Sequence, residues 1–190
     1  MANRSSVGFG LRPIGKVGQN RDAQGLSEYL VSDSPTIIYF NDAVQATAAG
    51  TIAVASSSSI ILGSLNGSFY TDPTTQKPTW RNYVPAVAAT DIVAFVSDDP
   101  YERFEIRSNN TGASAVADIF LNANITYLAG DSANYVSRSR LNDATLNTTN
   151  TLQLQILGST KDTGDNNILQ SHVVWVARVN KHQLTTTTGV

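Results

Sequence analysis

Cysteine is absent from this 190-residue chain, methionine occurs once and histidine twice. Without cysteine there is no disulfide framework, no thiolate metal site and no cysteine nucleophile. Charge is also scarce, at 15% of residues against a norm of about 25%. The net charge of −2 and a pI near 5.6 do not suit a dedicated nucleic-acid binder, which is strongly basic. Long apolar runs are missing too. The least polar stretch, Thr47 to Gly63, is Ala- and Ser-rich and too weakly apolar to span a bilayer. The opening Met1-Ala2-Asn3-Arg4-Ser5-Ser6 has no apolar segment behind a basic flank, so it does not read as a secretory signal.

What the chain has is Ser and Thr, roughly a fifth of it, with abundant Asn, a bias towards strands and turns. Residues 1–33 read as an extended, Gly-rich basic arm, separable from the rest. Gly8, Gly10, Gly15, Gly18 and Gly25 separate single apolar residues, and Arg4, Arg12, Lys16 and Arg21 precede any acid. Such a segment has too little continuous apolar surface for a core of its own and can order against an acidic partner. Spacing of Ala23, Leu26 and Leu30 permits a short helix, weakened by Gly25.

From residue 34 to 184 the period becomes two. Arg103-Phe104-Glu105-Ile106-Arg107, Leu152-Gln153-Leu154-Gln155-Ile156 and Ile119/Leu121/Ala123/Ile125 alternate as strands with one wet face. Thr36–Phe40, Ile92–Val96 and Val173–Val176 are apolar on both faces and read as central strands. Asn66-Gly67 is a hairpin signal. Further reversals fall at Asp72-Pro73 with Lys77-Pro78, at Asn109–Gly112 and at Asp162–Asn167. About eight to ten short antiparallel strands predict an all-β domain, a β-sandwich or jelly-roll-like β-barrel. Residues 185–190 read as a flexible tail. The echo of Ile61-Leu62-Gly63-Ser64 in Ile156-Leu157-Gly158-Ser159 has unmatched flanks and is not a repeat.

Chemistry is thinly signalled. His172 and His182 lack the spacing of a metalloprotease helix and any accompanying acids. Asp98-Asp99-Pro100 could bind a cation or serve a calcium-dependent hydrolase, but it reads first as a turn. Asp162–Asn167 lacks the distal Glu of a calcium loop, and neither a phosphate loop nor a Gly-x-Ser-x-Gly elbow occurs. The expectation is therefore no catalytic residue, no metal and no cofactor. The residues expected to meet a partner are Arg4, Phe9, Arg12, Lys16 and Arg21.

Three blocks carry a family resemblance. The first is Ile61–Asp72 followed by Trp80-Arg81-Asn82-Tyr83-Val84-Pro85. The second is Ala94–Ile106, and the third runs from Leu152–Gly158 to Val173–Leu184. Together they resemble small virion proteins of tailed bacteriophages, encoded beside the major capsid protein and acting as capsid cement or decoration proteins. Val84 stands where that pattern leads one to expect Trp. The resemblance implies a non-enzymatic structural protein on the outer surface of the virion. It would bind and bridge major capsid protein subunits through the arm, with neighbouring copies of itself as further partners, in trimers by analogy with other decoration proteins. Neither nucleic acid nor membrane is an expected partner. The alternative is a tail- or fibre-associated module recognising a host glycan, favoured if Tyr70, Trp80, Tyr83 and Tyr101 share one groove.

Overall fold

The computed structural model describes residues 3, 7–17, 25–32, 35–110, 113–161, 166–185 and 189–190. Twelve strands follow one another: β1 (Arg12–Lys16), β2 (Ser27–Leu30), β3 (Ala43–Ala46), β4 (Ile52–Val54), β5 (Gly63–Thr71), β6 (Pro78–Arg81), β7 (Val93–Ser97), β8 (Glu102–Arg107), β9 (Asn122–Thr126), β10 (Arg140–Asn147), β11 (Leu154–Ser159) and β12 (Val174–Val179). Single 3-10 turns occupy Val116–Asp118 and Gln183–Thr185.

The strands form two antiparallel sheets packed together as a β-sandwich. The first has the order β1-β8-β12-β11-β9-β10; the second runs β2-β7-β5-β3-β4, with β6 paired to β5. Both sheets curl. In the second, Val31 bridges Ile52 and so joins β2 to β4; in the first, Ser108 beyond β8 bridges Leu141 of β10. Each sheet consequently wraps its own apolar cluster. Phe104, Ile106, Leu154, Ile156, Trp175 and Ala177 fill the first, and Val44, Leu65, Tyr70, Ala94 and Val96 fill the second. Leu11, Ala43, Ala55 and Ile61 join the first cluster from outside its sheet and lock the two layers together.

The alternating segments form strands over Glu102–Arg107, Asn122–Thr126 and Leu154–Ser159 through burial on one face. Ile119 and Leu121, however, lie outside β9, next to Phe120 at a left-handed φ of 74, and Gln153, expected on a wet face, precedes β11 and is buried. Phe104 and Ile106 are inside, with Arg103 and Arg107 half-exposed outside. Elsewhere tertiary contacts prevail. The 36–40 run is not a central strand but a crossing between the sheets: Ile38 pairs with Val84 and Phe40 with Val136, as isolated bridges. Asn41 then turns with φ 65, and the Asp42 carboxylate accepts the Tyr39 N–H at 2.9 Å. Asn66-Gly67 is not a hairpin turn but lies inside β5, where the register slips between Leu65 and Gly67. A Cβ on Gly67 would stand 2.5 Å from the Trp80 ring, so this glycine serves close approach rather than a turn. The β5–β6 hairpin turns instead over Asp72–Lys77, where Asp72 accepts the Thr74 and Thr75 N–H groups.

The described parts of the expected arm are built into the sheets. β1 is an edge strand of the first sheet and β2 of the second, while Leu11 is 1% exposed. Gly10, at φ +74, approaches the Asn41 carbonyl so closely that a Cβ would lie 2.1 Å from it. The helix expected around Ala23, Leu26 and Leu30 is replaced by β2 over Ser27–Leu30, with Ala23 outside the described residues. The turns at 111–112 and 162–165 and the tail at 186–188 also lie outside them.

Candidate interaction surfaces

Among the expected partner-binding residues, Arg4 and Arg21 lie outside the described residues. Phe9 and Arg12 are brought together: the Arg12 guanidinium sits 4.8 Å from the Phe9 ring centre, and that of Arg107 5.8 Å. Arg12 also forms an ion pair with Glu105, its Nε donating at 2.8 Å. Lys16 stands apart from this group, its ammonium 2.7 Å from the Asp99 carboxylate. These side chains engage the protein's own surface.

Asp98-Asp99-Pro100 follows β7 as a turn whose two carboxylates diverge. Asp98 accepts Ser27 Oγ at 2.9 Å and Tyr29 OH at 2.5 Å; Asp99 accepts the Tyr101 N–H at 2.7 Å. One acid therefore ties down β2 and the other, through Lys16, β1. Burial and the Asp98 carboxylate push the Tyr29 phenol up to about 12, while the Lys16 ammonium holds Asp99 below the usual carboxylate range. A cleft of about 380 Å³ opens beside them. Among the described residues no three His, Asp or Glu side chains converge to hold a metal ion.

Both histidines contact the chain itself. Buried His182 accepts the Leu184 N–H on Nδ1 at 3.0 Å, and burial lowers its pKa. His172, at φ 57, is a turn residue before β12.

Among the described residues, two solvent-facing surfaces are built across several strands. On the second sheet, Leu30, Val93, Phe69 and Trp80 lie directly opposite one another across β2, β7, β5 and β6. Leu30 is 58%, Phe69 44% and Trp80 51% exposed. Trp80 lies across Gly67 onto Phe95, with ring centres 5.0 Å apart and planes at 53°. The first sheet covers the neighbouring part of this same face, at Ala43 and Ser64, where Ser64 Oγ donates to the Leu11 carbonyl at 2.6 Å. The aromatic part is left open. Phe69 alternates with buried Ser68 and Tyr70, but its place beside Trp80 is legible only once β6 is known to pair with β5.

The second surface is a groove of about 590 Å³ on the outer face of the first sheet, over β1, β8, β12 and β11. Two bulges build its walls. The register slips at Pro13/Gly15 in β1 and at Ile156/Gly158 in β11, leaving Ile14 and Leu157 unpaired and turned into the groove.

The four aromatics that would form a glycan groove are dispersed. Tyr70 is 3% exposed in the core, Tyr83 stacks on Tyr135 at 3.8 Å, Trp80 rests on Phe95, and Tyr101 protrudes beside Asp99. No protein-family model, curated protein or solved structure matches the chain.

Proposed function

We propose that this chain is a non-enzymatic structural protein of a bacteriophage virion, a cement or decoration protein. It binds and bridges major capsid protein subunits on the outside of the head. The observation that carries the attachment half of this reading is the open aromatic row on the second sheet. A soluble β protein gains nothing in stability from leaving Leu30, Phe69 and Trp80 in water. Large rings presented rigidly from neighbouring strands are what protein–protein interfaces are built around. The phage-head half rests on the resemblance in residues 61–85, 94–106 and 152–184.

The physical role suits a small protein. A shell pressed from within by packaged DNA gains from many copies of a modest clamp, each burying about 1,600 Å², with symmetry repeating each link. With β1 and β2 tied into the sheets, the described part of the N-terminal segment meets a partner as sheet surface.

Purified virions provide the test. Gel and mass-spectrometric quantification should find this chain at a copy number comparable to capsomers, and its absence there would sink the reading. In reconstitution on heads lacking the protein, Trp80→Ser should weaken attachment by about tenfold or more. Equal attachment of that variant would remove the aromatic row from the interface.

A further inference from the structure

We infer that the groove on the outer face of the first sheet is a docking site for an acidic, extended polypeptide segment carrying an apolar side chain between its carboxylates. This inference rests on the attachment reading above for the partner's setting, and it adds the chemistry that the partner must present.

Charge complementarity is the first argument. Arg103 of β8 and Arg178 of β12 stand directly opposite each other in register. Like charges so placed repel. The bonds they make are to neutral groups, Arg178 Nε to the Gln155 side chain at 2.9 Å and Arg103 Nε to the Gly15 carbonyl at 3.4 Å. Glu105, which lines the same groove, does not compensate them. Its carboxylate accepts from Arg12 on one oxygen and from Thr160 Oγ1 at 3.0 Å on the other. Lys161 adds an exposed cation at the rim. Among the described residues, Arg103 and Lys161 in the groove lining and Arg178 beside Arg103 thus gather positive charge, with Glu102 the further carboxylate that acts on Arg103. An anion in the groove would relieve the Arg103–Arg178 repulsion.

Shape is the second argument. The bulges in β1 and β11 are spent on turning Ile14 and Leu157 towards each other over Val176. Those aliphatic walls bury a side chain that an inorganic anion lacks. A nucleic acid fits less well, since the groove lining offers no ring for base stacking and includes the Glu105 carboxylate. Gly158 faces open space on the groove side, where a Cβ would meet nothing within 4 Å.

The experiment titrates the full isotope-labelled chain, by NMR, with three probes: an extended peptide alternating Glu with Val, the same peptide with Gln for Glu, and oligothymidylate. The Glu peptide should shift the amides of Ile14, Leu157, Gly158 and Val176, bind about tenfold tighter than the Gln peptide, and release in high salt. Arg103→Glu should weaken it by about tenfold or more. Gly158→Phe, whose ring enters open space, should block it while leaving the remaining spectrum in place. Equal affinity for both peptides, indifference to both variants, or tighter binding of oligothymidylate at these amides would overturn the inference. The virion assay is independent: a chain present on heads with an inert groove loses only this inference, and a chain absent from virions with a working groove loses only the phage-head reading.

Discussion

Asp42 shows how much a single side chain can cost and hold at once. Its carboxylate is 4% exposed between the two sheets, faced by the Tyr39 N–H, the Ser137 hydroxyl and the Tyr127 phenol. Burial outweighs the two hydrogen bonds and pushes the acid up from 3.8 to about 6. The folded state therefore holds this proton more tightly than the unfolded chain. Stability from this group is present at low pH and is lost as pH rises from about 4 to about 6. At neutral pH the cost is at most about 3 kcal/mol. Asp42→Asn keeps an acceptor for Tyr39 and removes the charge. Urea unfolding should find it more stable than wild type at pH 7.5 and equal or weaker at pH 4.5. A constant difference across that range would show that Asp42 titrates normally.

Among the elements, β1 is the most instructive. As a strand it looks poor, with Pro13 and Gly15 in five residues, yet Leu11 before it is core and Gly10 touches the Asn41 carbonyl. Gly10→Ala forces a Cβ into that carbonyl at a left-handed φ and should cost about 2–4 kcal/mol by denaturant unfolding. Gly158→Ala, facing open space, should change stability by less than about 1 kcal/mol. If the two variants unfold alike, residues 7–17 are not packed as described. Deleting residues 1–17 removes Leu11 and exposes the β8 edge, so the truncated chain should lose several kcal/mol or fail to fold, at about 2–5 kcal/mol for Leu11 alone. A separable arm would leave the midpoint unmoved.

At the scale of the whole molecule, the two curled sheets share too much to unfold apart. Ala43 of β3 sits in the first cluster while its neighbour Val44 sits in the second. Gln153, 1% exposed, donates from Nε2 to the Ser56 and Ser59 carbonyls at 2.7 and 3.0 Å and accepts the Ile125 N–H at 3.1 Å. It binds the loop after β4 to β9 and β11. The two tryptophans report on separate sheets, Trp175 inside the first and Trp80 on the second. Variants with Trp80→Phe or Trp175→Phe should give coincident fluorescence transitions in guanidinium, as one cooperative unit requires. Midpoints that separate would mean two independently stable layers. Pairings such as β1 with β8 and β2 with β7 join residues far apart in sequence, which places folding in the slow, millisecond-to-second range.

The sequence by itself determined the all-β class, the strands around Phe104, Ala123 and Leu154, and the turn at Asp98-Asp99-Pro100. Alternation and turn chemistry are local, and a single strand obeys them before it has a neighbour. Only the tertiary structure decided the rest. Asn66-Gly67 stays extended because the Trp80 ring from the next strand needs the space over Gly67. Thr36–Phe40 leaves the strand state because its hydrogen bonds go to two different layers, and Arg12–Lys16 and Ser27–Leu30 become strands because β8 and β7 offer them free edges. The aromatic row and the bulge-walled groove are legible in no segment, since each gathers side chains from three or four strands whose pairing the sequence order does not state. Exposure belongs to the assembled sheet, not to the residue.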